Sequence, residues 1–312
     1  MSSCAFLKIL EYCLLPTFER YVRLSPNQFG YRNGTSSLMC AYAVKEMIQK
    51  YISNGTPVFS CSLDMSKAFD CLNHFTLINK LIEMGLPSNV ISVVKVMYFN
   101  QSCYTNYNHA FSGSNSIHNG IRQGGILSGI LFNIYVNELI TKANKTDYGC
   151  KLNFRHFAVT AYADDIFVTS ASQSGLQKLI YMIETELNNL NLELNSSKCK
   201  AIKFCSGSFH KCMKIKINGK IIDQVESVKY LGIVFQHNLC VLKDIERAQS
   251  SFLRQFYGFF SKFSNANLQL RLRLFNMYCT SFYGSSLWSD LSGASKAYKA
   301  IGISYHKELI KF

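Results

Sequence analysis

Acids, proline and tryptophan are scarce in this sequence, and it has no long apolar run. Asp and Glu number 19 against 33 Lys and Arg, which leaves a formal charge of 33 − 19 = +14. Four prolines and 18 glycines in 312 residues exclude collagen-like and linker-like sequence. No apolar stretch reaches the roughly 18–20 residues that cross a bilayer, so a helical membrane protein is not expected. The opening MSSCAFLKILEYCLLP carries Lys8 and Glu11 where a secretory leader would be apolar, and it has no small-residue cleavage site. None of the 12 cysteines forms a C-x-x-C pair, and the nearest grouping, Cys199, Cys205, His210 and Cys212, lacks zinc-site spacing. Free, mostly buried thiols in a reducing compartment are expected, hence an intracellular protein that is not secreted.

Apolar residues, by contrast, make up 48% of the chain and charged residues 17%, so there is ample material for a core. The length fits one large domain or two modest ones. The basic charge is uneven. Asn195 to Ile222 holds seven lysines (198, 200, 203, 211, 214, 216, 220) and no acid, and Arg247 to Ser289 holds five basic residues and no acid. Such a field attracts polyanions, nucleic acid above all. Aromatics in the second stretch (Phe252, Phe256, Tyr257, Phe259, Phe260, Phe263) fall at near-helical spacing, which predicts core.

Periodicity predicts helices over 3–22 (Phe6, Ile9, Leu10, Cys13 and Leu14 on the apolar face), 36–52 (Leu38, Tyr42, Ile48, Tyr51), 73–84 (Leu77, Ile78, Leu81, Ile82), 127–140 and 176–192. PVFSCSLD reads as a strand ending at Asp64. FAVTAYA and IFVTS read as two strands joined at Asp164-Asp165, since paired aspartates favour a turn. Asn218-Gly219 between alternating apolar residues predicts a hairpin over 213–222, and KYLGIVF predicts one short strand. The last seventy or so residues read as helical and basic. The fold class is α+β: an antiparallel sheet covered by helices, with a helical C-terminal region.

Three carboxylates, Asp64, Asp164 and Asp165, thus stand at a strand end and in a hairpin turn. If the strand and the hairpin share a sheet, the three converge at one edge and repel each other unless cations neutralise them. Mg²⁺ suits such a site, since it takes one or two carboxylates per ion and leaves positions for phosphates. Two such ions would polarise an attacking hydroxyl and stabilise a leaving pyrophosphate, which is nucleotidyl transfer.

QFGYRNGTSS, SLDMSKAFDCLNH, GIRQGGILSGILFNIYVNEL, AYADDI, LELNSSKCKAIKF and KYLGIVF follow one another in that order. Together they resemble the successive motifs of the reverse transcriptases of non-LTR (LINE-type) retrotransposons, over about residues 5 to 288. The resemblance implies a right-hand polymerase fold, with fingers and palm over 1–238 and a basic, thumb-like region over 239–312. It implies RNA-directed DNA synthesis with two Mg²⁺ ions, Mn²⁺ being a possible substitute, and an RNA template, a DNA primer or target and dNTPs as partners. No membrane partner is implied, and family logic places the protein in the cytoplasm, the nucleus or both.

By position, the resemblance makes Asp64 and Asp164 metal ligands and Asp165 their helper. Lys198 becomes the late-palm lysine near the departing pyrophosphate, and Phe69 the aromatic gate against ribonucleotides. Gln28, Gly30 and Arg32, together with the finger residue Phe29, become template contacts. Arg122, Gln123 and Gly124, with Gly125, become the turn under the templating base and incoming nucleotide. Tyr230, Leu231 and Gly232 become the primer grip, the hairpin that holds the primer end. Lys67 and Arg122 are basic residues placed to meet phosphate, and Asp70 is read as structural, a cap of the following helix. Leu127-Ser128-Gly129 stands where the family has Leu-Ser-Pro, a modest loss of rigidity. The resemblance also places an Arg-Pro-Ile finger segment and an endonuclease before residue 1 and a Cys/His knuckle after the thumb, so the chain is expected to be truncated at both ends.

Three readings remain open from sequence: a polymerase, a catalytically weak or inactive remnant that only binds RNA or DNA, and a group II intron maturase-like protein. The SKAFD and LELN segments weigh against the last. A viral RNA-dependent RNA polymerase is disfavoured, because those typically read Gly-Asp-Asp and avoid an aromatic at the position of Phe69.

Overall fold

The structure is a computed structural model, and it describes residues 5–99, 101–108, 110–288, 299, 302, 303, 305 and 307. Four antiparallel strands make the central sheet, in the order β10 (Lys200–Phe204), β1 (Val58–Leu63), β9 (Asp165–Ser170), β8 (Val159–Tyr162). The register runs Val58↔Phe204 on one side of β1 and Leu63↔Ile166 on the other. Apolar residues fill both faces of these strands, so the sheet needs cover on both sides.

Helices α6 (Ser128–Asn144) and α7 (Gln173–Asn189) cover one face. Leu131, Ile134, Leu139, Leu179 and Ile183 join Cys61, Ala161 and Val168 there in a single core cluster. Helix α2 (Ser37–Ser53) covers the other face, where Val44, Met47 and Ile48 meet Val58, Phe167 and Phe204. Nearly every face of α6 is buried, which makes it the central post of the molecule. Helices α3 (Ala68–Cys71), α4 (His74–Glu83) and α5 (Ser88–Phe99) follow β1, and α4 packs on α6. The short pairs β2·β5 (Ser102–Cys103, Asn115–Ser116) and β3·β4 (Asn106–Tyr107, Ala110–Phe111) form an excursion between α5 and the turn before α6. Hairpin β6·β7 (Cys150–Leu152, Arg155–Phe157) precedes β8.

The Asn-Gly signal gives the hairpin β11·β12 (Lys216–Ile217, Lys220–Ile221), with Asn218 and Gly219 both at positive φ. KYLGIVF, a short strand by its pattern alone, is the hairpin β13·β14 (Ser227–Tyr230, Ile233–Gln236) that the resemblance implies. Its two-residue loop is Leu231-Gly232, both left-handed at φ 48° and 80°. Leucine is rare there, so the pattern read as continuous. Helices α8 (Leu242–Phe263) and α9 (Leu268–Tyr278) follow; Phe252, Phe256 and Phe259 form a core with Phe275, as expected from spacing for the first three, while Tyr257 is exposed.

The N-terminal helix α1 (Ala5–Tyr21) has its stripe reversed. Phe6, Ile9 and Leu10 face solvent, while the charged Glu11 is fully buried beside Phe18. The helix has rolled to bring that carboxylate inward. In α2 the buried face is likewise shifted: Tyr42 is exposed and Cys40, Ala41 and Val44 are inside. In α4, Ile82 is exposed, while Leu77, Ile78 and Leu81 are buried as expected.

Candidate active site

The last β8·β9 pair, Tyr162↔Asp165, leaves Ala163-Asp164 as a two-residue hairpin loop. Ala163 is left-handed at φ 55°, a conformation that glycine adopts more easily. The neighbouring chain holds it there. Phe29 N–H donates to Ala161 O at 2.8 Å and Ala161 N–H donates to Asn27 O at 2.9 Å, so residues 27–29 lie along β8. Gln28 Oε1 then accepts from Ala163 N–H at 3.0 Å and from Gly30 N–H at 2.9 Å. A Cβ on Gly30 would sit 2.6 Å from Ala163 N, so only glycine permits this approach.

These contacts revise two expected template contacts. Gln28 is fully buried and Gly30 is buried against the turn, so in this structure both contact the Asp164 loop from behind and neither is exposed for a template. Buried Phe29 packs in the core beside α2. Arg32 is exposed at the same corner.

Asp64 follows β1 directly, one step beyond the Leu63↔Ile166 pair, and so stands abreast of Asp165. Its backbone is fixed from the segment before β10: Asn195 N–H donates to Asp64 O at 2.8 Å, and Asp64 N–H points to Cys199 Sγ at 3.4 Å. The sheet thereby gathers Asp64, Asp164 and Asp165 at one edge. Burial, aided by the charge of Asp64, raises the Asp164 pKa. Asp165 keeps a solvent-exposed side, yet protein crowding first, and then Asp164 and Asp64, raise it too. Lys198 Nζ lies 3.6 Å from Asp64 Oδ2. That oxygen is buried without a hydrogen-bond partner.

Among the described residues, no three His, Cys, Asp or Glu side chains clasp a metal by themselves. The cluster fits a cation that takes one or two carboxylates and completes its shell elsewhere, since three carboxylates face one lysine and Asp64 Oδ2 is buried with no hydrogen bond of its own. The Cys199, Cys205, His210 and Cys212 grouping makes no metal site either, and the 11 described cysteines are free.

Phe69, half-buried, stacks on Phe132 with ring centroids 4.7 Å apart, on the α6 side of the carboxylates. Gln123 and Gly124 are exposed in the turn before α6, with Gly124 at φ 81°. Arg122, expected to meet phosphate, is turned inward: Nη2 donates to Met97 O at 2.8 Å and the guanidinium lies 5.7 Å from the Tyr98 ring centroid. Gly125 leaves room for protein rather than ligand, because a Cβ there would lie 2.5 Å from Ser128 Oγ and 3.1 Å from a Glu11 oxygen. Asp70 does not cap the next helix; Asn73 does, accepting from Thr76 N–H at 3.0 Å. Lys67 is exposed and left-handed at φ 47°.

Of the expected primer-grip residues, the Tyr230 side chain is buried against Phe167. Leu231 and Gly232 form the hairpin tip. Tyr283 clamps it: its hydroxyl donates to Leu231 O at 3.0 Å and lies 2.8 Å from Ser37 Oγ. Asp244 on α8 anchors the same hairpin from below, through Val234 N–H at 2.9 Å.

Gly129 proves to be a packing device. Its Cβ position would overlap the Tyr31 ring, at 2.1–2.3 Å from three ring atoms, so a proline cannot sit there while Tyr31 keeps its place. Burial, and then Asp164, push the Tyr31 phenol pKa up, which puts this ring beside the carboxylates. Sequence reading missed Glu11, Asp244, Tyr283 and Asn133, whose buried Nδ2 donates to Gly30 O at 2.6 Å. Only Glu11 left a signal, as an acid inside an apolar helical pattern.

Residues 3–235 match the family model of reverse transcriptase (RNA-dependent DNA polymerase). The chain is 25% identical over 233 residues to the RNA-directed DNA polymerase from mobile element jockey of Drosophila melanogaster, covering 72% of this chain and 25% of that protein. It is 28% identical over 185 residues to the Pol polyprotein of the R2DM retrotransposable element of the same fly, covering 57% and 17%. It therefore spans about a quarter or less of the length of these curated relatives. In fold it is similar to telomerase from Candida albicans, with a TM-score of 0.52 at 15% identity, over 98% of this chain and 54% of that one. Apo telomerase from Candida tropicalis gives the same TM-score at 16% identity, over 98% and 50%. Both likenesses assign the right-hand polymerase fold. The family works with divalent metal ions. The chain belongs to the reverse transcriptase (RNA-dependent DNA polymerase) family, alongside the polymerases of non-LTR retrotransposons.

Proposed function

We propose that this chain is an RNA-directed DNA polymerase that adds dNTPs to the 3′-hydroxyl of a DNA primer on an RNA template. The observation that carries the reading is the meeting of Asp64, Asp164 and Asp165 at one sheet edge, where the two adjacent aspartates resist ionisation. In this reading Asp64 and Asp164 hold Mg²⁺, two ions in all, with Asp165 as helper and Mn²⁺ as a substitute. When bound, the ions polarise the attacking hydroxyl and neutralise the leaving pyrophosphate.

The chain's own residues do the rest. Phe69, braced by Phe132, crowds the sugar 2′ position and excludes ribonucleotides. Exposed Gln123, Gly124 and Arg32 face the template. Lys198 leaves Asp64 when substrate arrives, and its Nζ proton meets the departing phosphate. The Leu231-Gly232 tip supports the primer end, and the basic helices beyond residue 238 act as the thumb. The work takes place inside the cell, in the cytoplasm or nucleus, and involves no membrane.

Extension of oligo(dT) on poly(rA) tests the reading, with dTTP and UTP compared at equal concentration. Divalent-dependent incorporation of dTTP, with UTP refused by the parent and accepted by Phe69→Val, is expected. A folded parent that binds RNA but extends nothing would overturn the polymerase and leave a remnant that only binds.

A further inference from the structure

Helix α6 begins without a cap of its own. Its N-cap residue is Leu127, whose side chain accepts nothing, and its first turn carries no acid. Leu127, Ser128 and Gly129 are buried where the chain enters the helix, and an unmet buried donor is costly. Glu11, from another helix, meets the two amides that lead into α6, those of Ile126 and of the N-cap Leu127. Its carboxylate is fully buried, and Oε2 accepts from Ile126 N–H at 2.5 Å and, more weakly, from Leu127 N–H at 3.4 Å. A carboxylate at a helix N-terminus is also favoured by the helix dipole.

Three further observations tie Glu11 to the turn rather than to the helix alone. Gly125 has no Cβ where one would lie 3.1–3.2 Å from both Glu11 oxygens. Ser128 Oγ donates to Arg122 O at 2.5 Å and closes the turn from inside. Buried Tyr98 lies under the Arg122 guanidinium and feels Glu11, its phenol pushed up to about 12 by burial first and by Glu11 next. Oε1 of Glu11 and Nη1 of Arg122 are both buried without hydrogen-bond partners, so the carboxylate holds the turn through one oxygen.

We infer that Glu11 is a positioning residue for nucleotide and template: a cap supplied in trans by α1 that fixes the Gln123-Gly124 surface through Ile126 and Leu127. The kinetic part of this inference rests on the polymerase reading; the structural part does not. Hydrogen exchange of the full chain, with Glu11→Ala and Glu11→Gln, tests it alongside primer extension. In Glu11→Ala, amides of 123–128 exchange roughly tenfold faster while those of the β8·β9 hairpin stay unchanged. Glu11→Gln, which keeps the oxygen and loses the charge, falls between. In extension, KM for dTTP rises more than kcat falls. Unchanged exchange at 123–128, or a uniform increase over the whole chain, would overturn the inference, as would a changed kcat at unchanged KM. Local loosening in a chain that extends no primer would uphold the trans cap and count against the polymerase reading alone.

Discussion

Replacing Asp244 by alanine should loosen the contact between α8 and the β13·β14 hairpin, and the structure allows the loss to be worked out. Asp244 is 1% exposed. One oxygen accepts from Val234 N–H at 2.9 Å and from Arg247 Nε at 2.6 Å, and the other accepts from Trp288 Nε1 at 2.9 Å. Each buried donor left unmet costs about 1–3 kcal/mol, and breaking a buried ion pair from one side costs about 3–5 kcal/mol. The three contacts share one carboxylate, so these costs overlap instead of adding. The Arg247 side chain is 25% exposed and recovers some hydration, which pulls the sum toward the lower end. The expected loss is therefore about 3–4 kcal/mol. Trp288 is the sole tryptophan, so its fluorescence reports the site directly. Urea unfolding followed by that fluorescence should show an earlier transition for Asp244→Ala and red-shifted emission before unfolding begins. Asp244→Asn, which keeps shape without charge, should fall between. A midpoint within about 0.5 kcal/mol of the parent, with unshifted emission, would refute the reasoning.

Other perturbations have equally definite outcomes. Asp164 and Asp165 have raised pKa values in the fold, so the folded chain binds more protons than the unfolded one, and metal-free stability should rise as pH falls toward their folded pKa values. Melting curves from pH 8 to pH 5 without divalent ions check this, and Asp165→Asn should flatten the trend. Gly129→Ala forces its Cβ into the Tyr31 ring and should cost about 1–3 kcal/mol, with Tyr31→Ala restoring most of it in a double-mutant cycle read by denaturant midpoints. Gly30→Ala drives a Cβ against Ala163 N and should disturb the Asp164 loop, seen as lost extension with little change in RNA binding.

The parts legible in sequence were those whose local chemistry and tertiary role agree. The hairpin between two apolar strands was legible, but its turn is Ala163-Asp164, one residue earlier than the paired aspartates suggested, with Asp165 opening β9; Asn218-Gly219 is a hairpin turn by propensity and in the fold. Where the two conflict, the sequence misled. The apolar spacing of α1 pointed Phe6 and Ile9 inward, yet the helix buries Glu11 because α6 needs an acceptor that its own residues lack. Leu231 at positive φ broke no visible pattern, so the pattern alone read as one strand and only the resemblance implied the hairpin. Gln28 and Tyr230 belong to motifs that surround the site, and motif membership could not separate a side chain that faces the site from one that supports it. Only long-range contacts, Gln28 to Ala163 and Tyr230 against Phe167, made that distinction. The trans cap was invisible for the same reason: Glu11 and Ile126 are 115 residues apart.

The central claim is that the three carboxylates at the sheet edge carry nucleotidyl transfer. Its most direct test is the single-nucleotide incorporation rate of dTTP on primed poly(rA) for the parent, Asp64→Asn and Asp164→Asn, each first shown to be folded and to bind RNA equally. Incorporation by the parent, with each variant slower by about a thousandfold or more, is the predicted result. Variants that incorporate within a few-fold of an active parent would contradict the claim and remove these aspartates from the chemistry.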